Sequence, residues 1–402
     1  MRAVRRKPGP ILVPAGFAFA ALSAGIKASG RPDVALARSI GSMAASVFTR
    51  NRVVAAPIEI GRASLKKTRG RVDAVLVNSG NANCATGAAG LFACASSCKA
   101  LGNLLGISET HIFPSSTGII GVPLPSDKII ACLPTLIASL RGTREAVTRF
   151  ADAILTTDTR RKIASRRLRV KGRTVTLLGV AKGSGMIHPQ MATMLVYLFT
   201  DLSASPKELN SLLREVADET FNRISVDGDT STNDTVALVA SGESGVNAGG
   251  AREPFRRALF DVCESLAEQI VTDGEGVNHV IELSIEQARR SADALEIART
   301  IAHSPLVKTA WAGSDPNWGR ILAAIGRSGV PINPNKVNIF IGDQRVCRNG
   351  SSCAFDVHRA HRALRKPQCE IRVQLGAGTS RIRFLTTDLT AEYVSINADY
   401  ST

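Results

Sequence analysis

Apolar residues alternate or run together over short stretches at Val72–Val77, Val175–Val180, Met194–Phe199, Val337–Ile341, Glu370–Leu375 and Ser380–Leu385. A period of two with many β-branched residues predicts strands at these places. Helical spacing lies between them. Ser205 as N-cap, Pro206 at the first helical position and Glu208 three residues on predict a capping box. Leu209, Leu212, Leu213, Val216 and Phe221 then line one face. A second helix is predicted from about Glu253 to Val271, with Phe255, Leu259, Val262, Leu266 and Ile270 in register. Interleaved strands and helices predict an α/β or layered α+β class.

The chain has 402 residues, 44% hydrophobic and 21% charged, enough for two domains or one large α/β body. Disorder is excluded as the general state. Eight cysteines in a chain this long do not make a disulfide framework, and no paired Cys or His spacing suits zinc. They are expected to be reduced and mostly buried.

The formal net charge of +16 raises nucleic acid, anionic membranes and acidic small molecules as partners. Its densest run is Arg160, Arg161, Lys162, Arg166, Arg167, Arg169, Lys171 and Arg173, without an acid or an aromatic among them. Stacking platforms for single strands are therefore missing, and a solvated basic hairpin or loop is expected instead of a nucleic-acid site. The basic N-terminus and the apolar stretch from Ile11 to Ile26 imitate a secretory signal, but Pro8, Pro10, Pro14, Gly16 and Gly25 interrupt it. A cytoplasmic enzyme with no membrane partner is expected, since no unbroken apolar run approaches a membrane span.

The polar segments between the strands are rich in Gly, Asn and Thr: residues 77–87, 114–121, 182–189, 227–235 and 315–320. Segments of this kind at strand ends are where sites are built. Asp227, Asp229, Asn233 and Asp234 miss the calcium-loop pattern and read as a structural or site-supporting loop.

Within residues 182–195 a Gly-rich turn leads to Ala192-Thr193 and then to an apolar strand. A Thr193 hydroxyl that attacks the Ala192 carbonyl would turn the peptide into an ester, and water would then free a new N-terminus. The released α-amine, with a pKa of about 7.7–8.0, can serve as the base for its own hydroxyl. The small Ala192 side chain leaves room for the attack. By itself, a threonine opening a strand is ordinarily just a β-branched strand residue.

Lys182–Leu195, Val226–Thr235, Asp315–Arg320 and Val77–Asn83 together resemble the ornithine acetyltransferase (glutamate N-acetyltransferase) family of arginine biosynthesis. The resemblance extends from Gly16-Phe17, Gly25-Ile26-Lys27 and Gly30-Arg31-Pro32-Asp33 through Val47–Arg52 and Ala56-Pro57 to Tyr393–Thr402. Gly376–Arg381 and the basic run depart from the family pattern.

The resemblance implies stacked β-sheets flanked by helices, an N-terminal-nucleophile-like sandwich with a smaller C-terminal α/β domain. It implies cleavage between Ala192 and Thr193 into an alpha chain, 1–192, and a beta chain, 193–402. Thr193 would be the nucleophile, with Thr117 and Gly118 stabilising the oxyanion. Substrate contacts carry over to Thr156, Lys182, Thr193, Glu275, Asn397 and Thr402. Of these, Lys182 suits an α-carboxylate and Glu275 an ammonium group. Acetyl would pass from N-acetylornithine to glutamate, releasing ornithine, with no metal or organic cofactor and with acetyl-CoA as a candidate second donor. Two alpha and two beta chains would form a heterotetramer. The alternative is an aminopeptidase or amidase with the same nucleophile and water as acceptor.

Overall fold

The computed structural model describes residues 9–188 and 194–399. The larger sheet contains β1 (Ala18–Leu22), β2 (Val34–Phe48), β3 (Arg71–Asn81), β4 (Ile112–Ile119), β5 (Lys162–Val170), β6 (Arg173–Lys182), β7 (Leu195–Thr200) and β8 (Thr235–Ala240). A smaller sheet contains β9 (Val280–Ala288), β10 (Asn338–Ile341), β11 (Gln344–Arg348), β12 (Ser351–Ser352), β13 (Gln368–Gln374) and β14 (Ser380–Thr387). The helices are α1 (Ala56–Lys67), α2 (Gly87–Leu105), α3 (Ser126–Ala138), α4 (Arg144–Ala153), α5 (Pro206–Glu219), α6 (Ala248–Thr272), α7 (Ser291–Ala302), α8 (Pro305–Ala312), α9 (Trp318–Gly326), α10 (Val357–Leu364) and α11 (Ala391–Asp399).

The main path through the larger sheet runs β4-β3-β2-β8-β7-β6-β5, with β1 beside β2. Strand β2 belongs to two layers. Its first part, Val34 to Arg38, pairs with β1 and β3; after a register shift between Arg38 and Ser42, Met43 to Phe48 pair with β8. The shift lets the sheet face itself, and Phe19 on β1 meets Phe199 on β7 with ring centroids 5.1 Å apart.

Alternation of side chains across each strand then sorts the core. Leu195, Tyr197 and Phe199 enter the inner core with Val75, Val77, Leu178, Val180 and the α4 residues Val147 and Phe150. Val196 and Leu198 point the other way, onto Leu209 and Leu213 of α5 and Leu259 and Leu266 of α6. On the far side of β1–β3, Leu36 and Leu76 meet Leu101 of α2 and Leu133 of α3. The result is helices, two sheet layers and helices again. The smaller sheet, in the order β12-β11-β10-β13-β9-β14, has its own core with α7, α9 and α10.

The predicted strand stretches all fall in or beside observed strands, and the Ser205 capping box is present, with Glu208 reaching back to the Ser205 N–H at 2.8 Å. Three details differ. Helix α6 begins at Ala248, capped by Asn247, so Pro254 lies inside the helix and does not start it. Phe221 lies beyond α5 in a short 3-10 turn but remains fully buried. Among the described residues α2 is long and apolar enough to span a membrane by length and composition, its apolar positions being mainly Leu, Ala and Cys. It packs on α1, α3 and β4. All eight cysteines are free thiols, six of them buried.

Candidate active site

Strand ends from both layers meet at one edge of the sandwich. The ends of β3, β4 and β6 arrive there with the starts of β7 and β8. Segments 78–81 and 114–119, expected as loops, are strand in the structure, because β4 pairs in parallel with β3 through Gly118. Asn residues hold this edge. Asn78 Nδ2 donates to the Asn81 carbonyl at 2.9 Å, and Asn78 Oδ1 accepts from the Ser116 hydroxyl at 2.6 Å. Asn81 donates to the Val122 and Pro123 carbonyls, and Asn83 to the Gly90 carbonyl. Gly118 has φ of 137°, in the region that favours glycine, and a Cβ there would collide with the backbone of Gly80 and Asn81.

An open cleft of about 630 Å³ lies at this edge, lined by Thr117, Gly118, Thr156, Lys182, Glu275 and Asn397 among others. Six expected site residues, far apart in sequence, therefore converge. Ala192, Thr193 and Thr402 lie outside the described residues; β7 begins two residues after Thr193.

Lys182 ends β6 and is 3% exposed. Its ammonium lies 3.9 Å from Asp158 Oδ2. Burial pulls the Lys182 pKa down, and Asp158 opposes the shift. Asp158 is itself fully enclosed. Burial acts to raise its carboxyl, but Lys182, Lys162 and the Gly183 N–H outweigh that and hold it at about 2. Lys162 bonds Asp158 Oδ1 and Asp273 Oδ2, both at 2.6 Å. Lys162 is thus a buried exception within the basic run, whose remaining members lie on or beside the β5–β6 hairpin.

Glu275 follows the turn at Asp273-Gly274. Its N–H donates to the Ser184 carbonyl at 3.1 Å, and its carboxylate packs so closely on Gly185 that a side chain at Gly185 would strike it. Asn397 Nδ2 on α11 donates to Glu275 Oε2 at 3.0 Å. The C-terminal segment is therefore ordered as helix through Asp399. Thr156 and Thr157 face the cleft, whereas Thr159 spends its hydroxyl on Asp273.

Asp227 grips the cleft loop through the N–H groups of Met186 and Ile187, at 2.5 and 2.8 Å, and accepts from the Tyr393 hydroxyl at 3.3 Å. Burial pushes the Asp227 carboxyl up to about 6, against its backbone donors. Beyond the loop, His188 stacks on His303 at 4.7 Å, and burial pulls His303 down to about 3. Among the described residues no group of three or more His, Cys, Asp or Glu side chains could hold a metal ion. The arrangement offers one buried cation, one carboxylate and backbone and hydroxyl donors around a cleft, which suits a small zwitterionic molecule.

A family model matches residues 18–402: the ArgJ family. The chain belongs to the ArgJ family. An arginine biosynthesis bifunctional protein ArgJ from Pseudomonas syringae pv. tomato is 41% identical over the full length of both chains. Its counterpart from Pseudomonas fluorescens is also 41% identical over both full lengths. A crystal structure of the arginine biosynthesis bifunctional protein argJ from Bacillus halodurans is 38% identical, with a TM-score of 0.49, covering 51% of this chain and 98% of that one.

The ArgJ-family cleft also contains residues that sequence reasoning did not single out. Ser231 and Thr232 line it beside Asn233, already expected in the site-supporting loop, and Asp158 and Asp273 hold the buried Lys182 and Lys162 behind it. The Asp-rich spacing of 227–235 pointed to that loop; nothing in spacing could pair Lys162 with Asp273 across 111 residues. The Asp315–Arg320 motif does not reach the cleft lining. It caps α9, through Asn317 Oδ1 and the Arg320 N–H at 3.2 Å.

Proposed function

We propose that this ArgJ-family chain is a self-processing glutamate N-acetyltransferase that carries acetyl from N-acetylornithine to glutamate through an acetyl-Thr193 intermediate. The convergence of Thr117, Gly118, Thr156, Lys182, Glu275 and Asn397 on one cleft carries the reading.

In processing, Thr193 Oγ attacks the Ala192 carbonyl carbon, the C–N bond breaks as the ester forms, and water hydrolyses the ester. In transfer, the free Thr193 amine takes the hydroxyl proton as Oγ attacks the acetyl carbonyl of N-acetylornithine. The Thr117 hydroxyl and the Gly118 N–H donate to the oxyanion. Collapse expels the α-nitrogen of ornithine, which takes the proton back. The glutamate amine then attacks the acetyl ester and restores the Thr193 hydroxyl. Lys182 meets the α-carboxylate, and Glu275 the δ-ammonium of N-acetylornithine. Asn397 and Thr402 are the proposed donors of neutral hydrogen bonds to the substrate. Acetyl-CoA is a candidate second donor for the same ester.

Intact-mass analysis of the wild type beside Thr193→Ala, with ornithine release measured with and without glutamate, tests the reading. Two fragments and glutamate-dependent turnover are expected in the wild type, and neither in the variant. Ornithine release that ignores glutamate would indicate an amidase instead.

A further inference from the structure

Asn233 and Asp234 are consecutive buried residues, 5% and 1% exposed, whose side chains bind backbone from two separate sheet layers. Asn233 Nδ2 gives one proton to the Ala82 carbonyl at 2.7 Å and the other to the Ser116 carbonyl at 2.9 Å, while Asn233 Oδ1 accepts from the Thr232 hydroxyl at 2.5 Å. Ser116 immediately precedes Thr117 and Gly118. In the other direction, Asp234 Oδ1 accepts from the Met194 N–H at 3.1 Å. Met194 immediately follows Thr193. The backbone between is fixed as well: the Asp234 carbonyl accepts from the Thr49 N–H at 2.9 Å, and the Thr235 N–H donates to the Met194 carbonyl at 3.0 Å.

We infer that Asn233 and Asp234 form one positioning device that sets the spacing between the oxyanion donors on β4 and the head of β7. The inference rests on the proposed role of Thr193. Two features distinguish it from ordinary core bonding. Each side chain binds the backbone one residue away from a reacting group, and the two are adjacent in the chain, so only the rigid Asn233-Asp234 unit separates the two anchor points. A peptide group is planar, so an acceptor on the Met194 N–H also restricts the bond that leads back to residue 193. Catalytic groups need to be held to about half an ångström, and a displacement of about 1 Å can cost a factor of roughly a hundred. Burial also pushes the Asp234 carboxyl well above the usual range, against the Met194 N–H and Lys182. A side-chain amide keeps an oxygen of the same shape to accept from the Met194 N–H, so Asn is its closest mimic.

The test uses the full chain with Asp234→Ala, Asp234→Asn and Asn233→Ala, each checked for folding by circular dichroism and for cleavage by intact mass. Turnover of the folded, cleaved enzyme is then split into kcat and KM. Asp234→Ala and Asn233→Ala should lower kcat by about tenfold to a hundredfold, with KM within about threefold, and Asp234→Asn should recover to within about threefold of wild type. If Asp234→Ala does not fold, the other two variants decide by the same values. Either alanine variant with wild-type kcat, or Asp234→Asn as impaired as Asp234→Ala, would overturn the inference. Activity in Thr193→Ala would instead overturn the reading beneath it, whereas an inactive Thr193→Ala beside a fully active Asp234→Ala would remove only the positioning role.

Discussion

Asp158 serves two lysines with one carboxylate, and its low pKa makes a pH-dependent prediction. Its folded value, about 2, lies below the ordinary 3.8, so its contribution to stability is present above pH 4 and is lost as pH falls through 2. Asp158→Asn should cost about 2–4 kcal/mol at pH 7, because it also leaves Lys182 and Lys162 less compensated in a buried place. Urea midpoints from pH 7 down to 2 should show the gap between wild type and variant closing with acid. A gap that is constant with pH would show that the carboxylate charge is not what stabilises. Gly118 invites a second substitution. Gly118→Ala must hold a side chain at φ of 137° against the Gly80 and Asn81 backbone, which costs about 1–3 kcal/mol in backbone strain alone. Any relaxation moves the Gly118 N–H, so kcat should fall by about a hundredfold in the protein that still folds, as for a lost oxyanion donor. Steady-state kinetics beside a denaturation curve separates the two effects.

At the scale of elements, what the sequence made visible follows from which signals are local. The capping box at Ser205 and the alternation in β6 and β7 need only a few neighbouring residues, and both are present. Strand β2 escaped because Val34–Phe48 is rich in Ala and Ser and bends between layers, so it has no steady period. The site residues came from resemblance to a family. Their geometry depends on contacts such as that of Asn397 with Glu275 across 122 residues, which no local pattern encodes. Helix α11 illustrates the point. It buries none of its residues, so its place is held by a few polar contacts: Asn397 to Glu275, Tyr393 to Asp227, and the Thr390 hydroxyl to the Gly276 carbonyl just before it. A chain ending at Thr390 should therefore lose about 1 kcal/mol of stability or less. Its KM for N-acetylornithine should rise about tenfold or more as the Asn397 contact disappears, which corresponds to the worth of a hydrogen bond to a charged group. Thermal unfolding and initial-rate kinetics on the truncated chain check both halves of this prediction.

The whole molecule constrains what cleavage at Thr193 can do. The strand order β4-β3-β2-β8-β7-β6-β5 places β7 and β8, which follow residue 193, between β2 and β6, which precede it. Separation of the fragments would break the β2–β8 pairing from Met43 to Phe48 and the β6–β7 pairing from Leu177 to Lys182. It would also open two cores, exposing Tyr197 and Phe199, whose partners Val147, Phe150, Leu178 and Val180 precede residue 193, and stripping Val175 and Leu177 of β6 from the α6 residues they pack with. Each large apolar side chain returned to water costs about 1.5–3 kcal/mol, and four sheet edges would be left unpaired. A cut at Ala192-Thr193 therefore yields two chains but not two folding units. Denaturing electrophoresis of mature protein should show two fragments, while size exclusion in native buffer should elute them together, even at nanomolar concentration. Fragments that separate on dilution would mean that β7 and β8 are not held between β2 and β6. If the fragments stay together, dissociation should require denaturant and coincide with loss of the sheet signal in circular dichroism, since the surface that joins the two chains is the core of the fold itself.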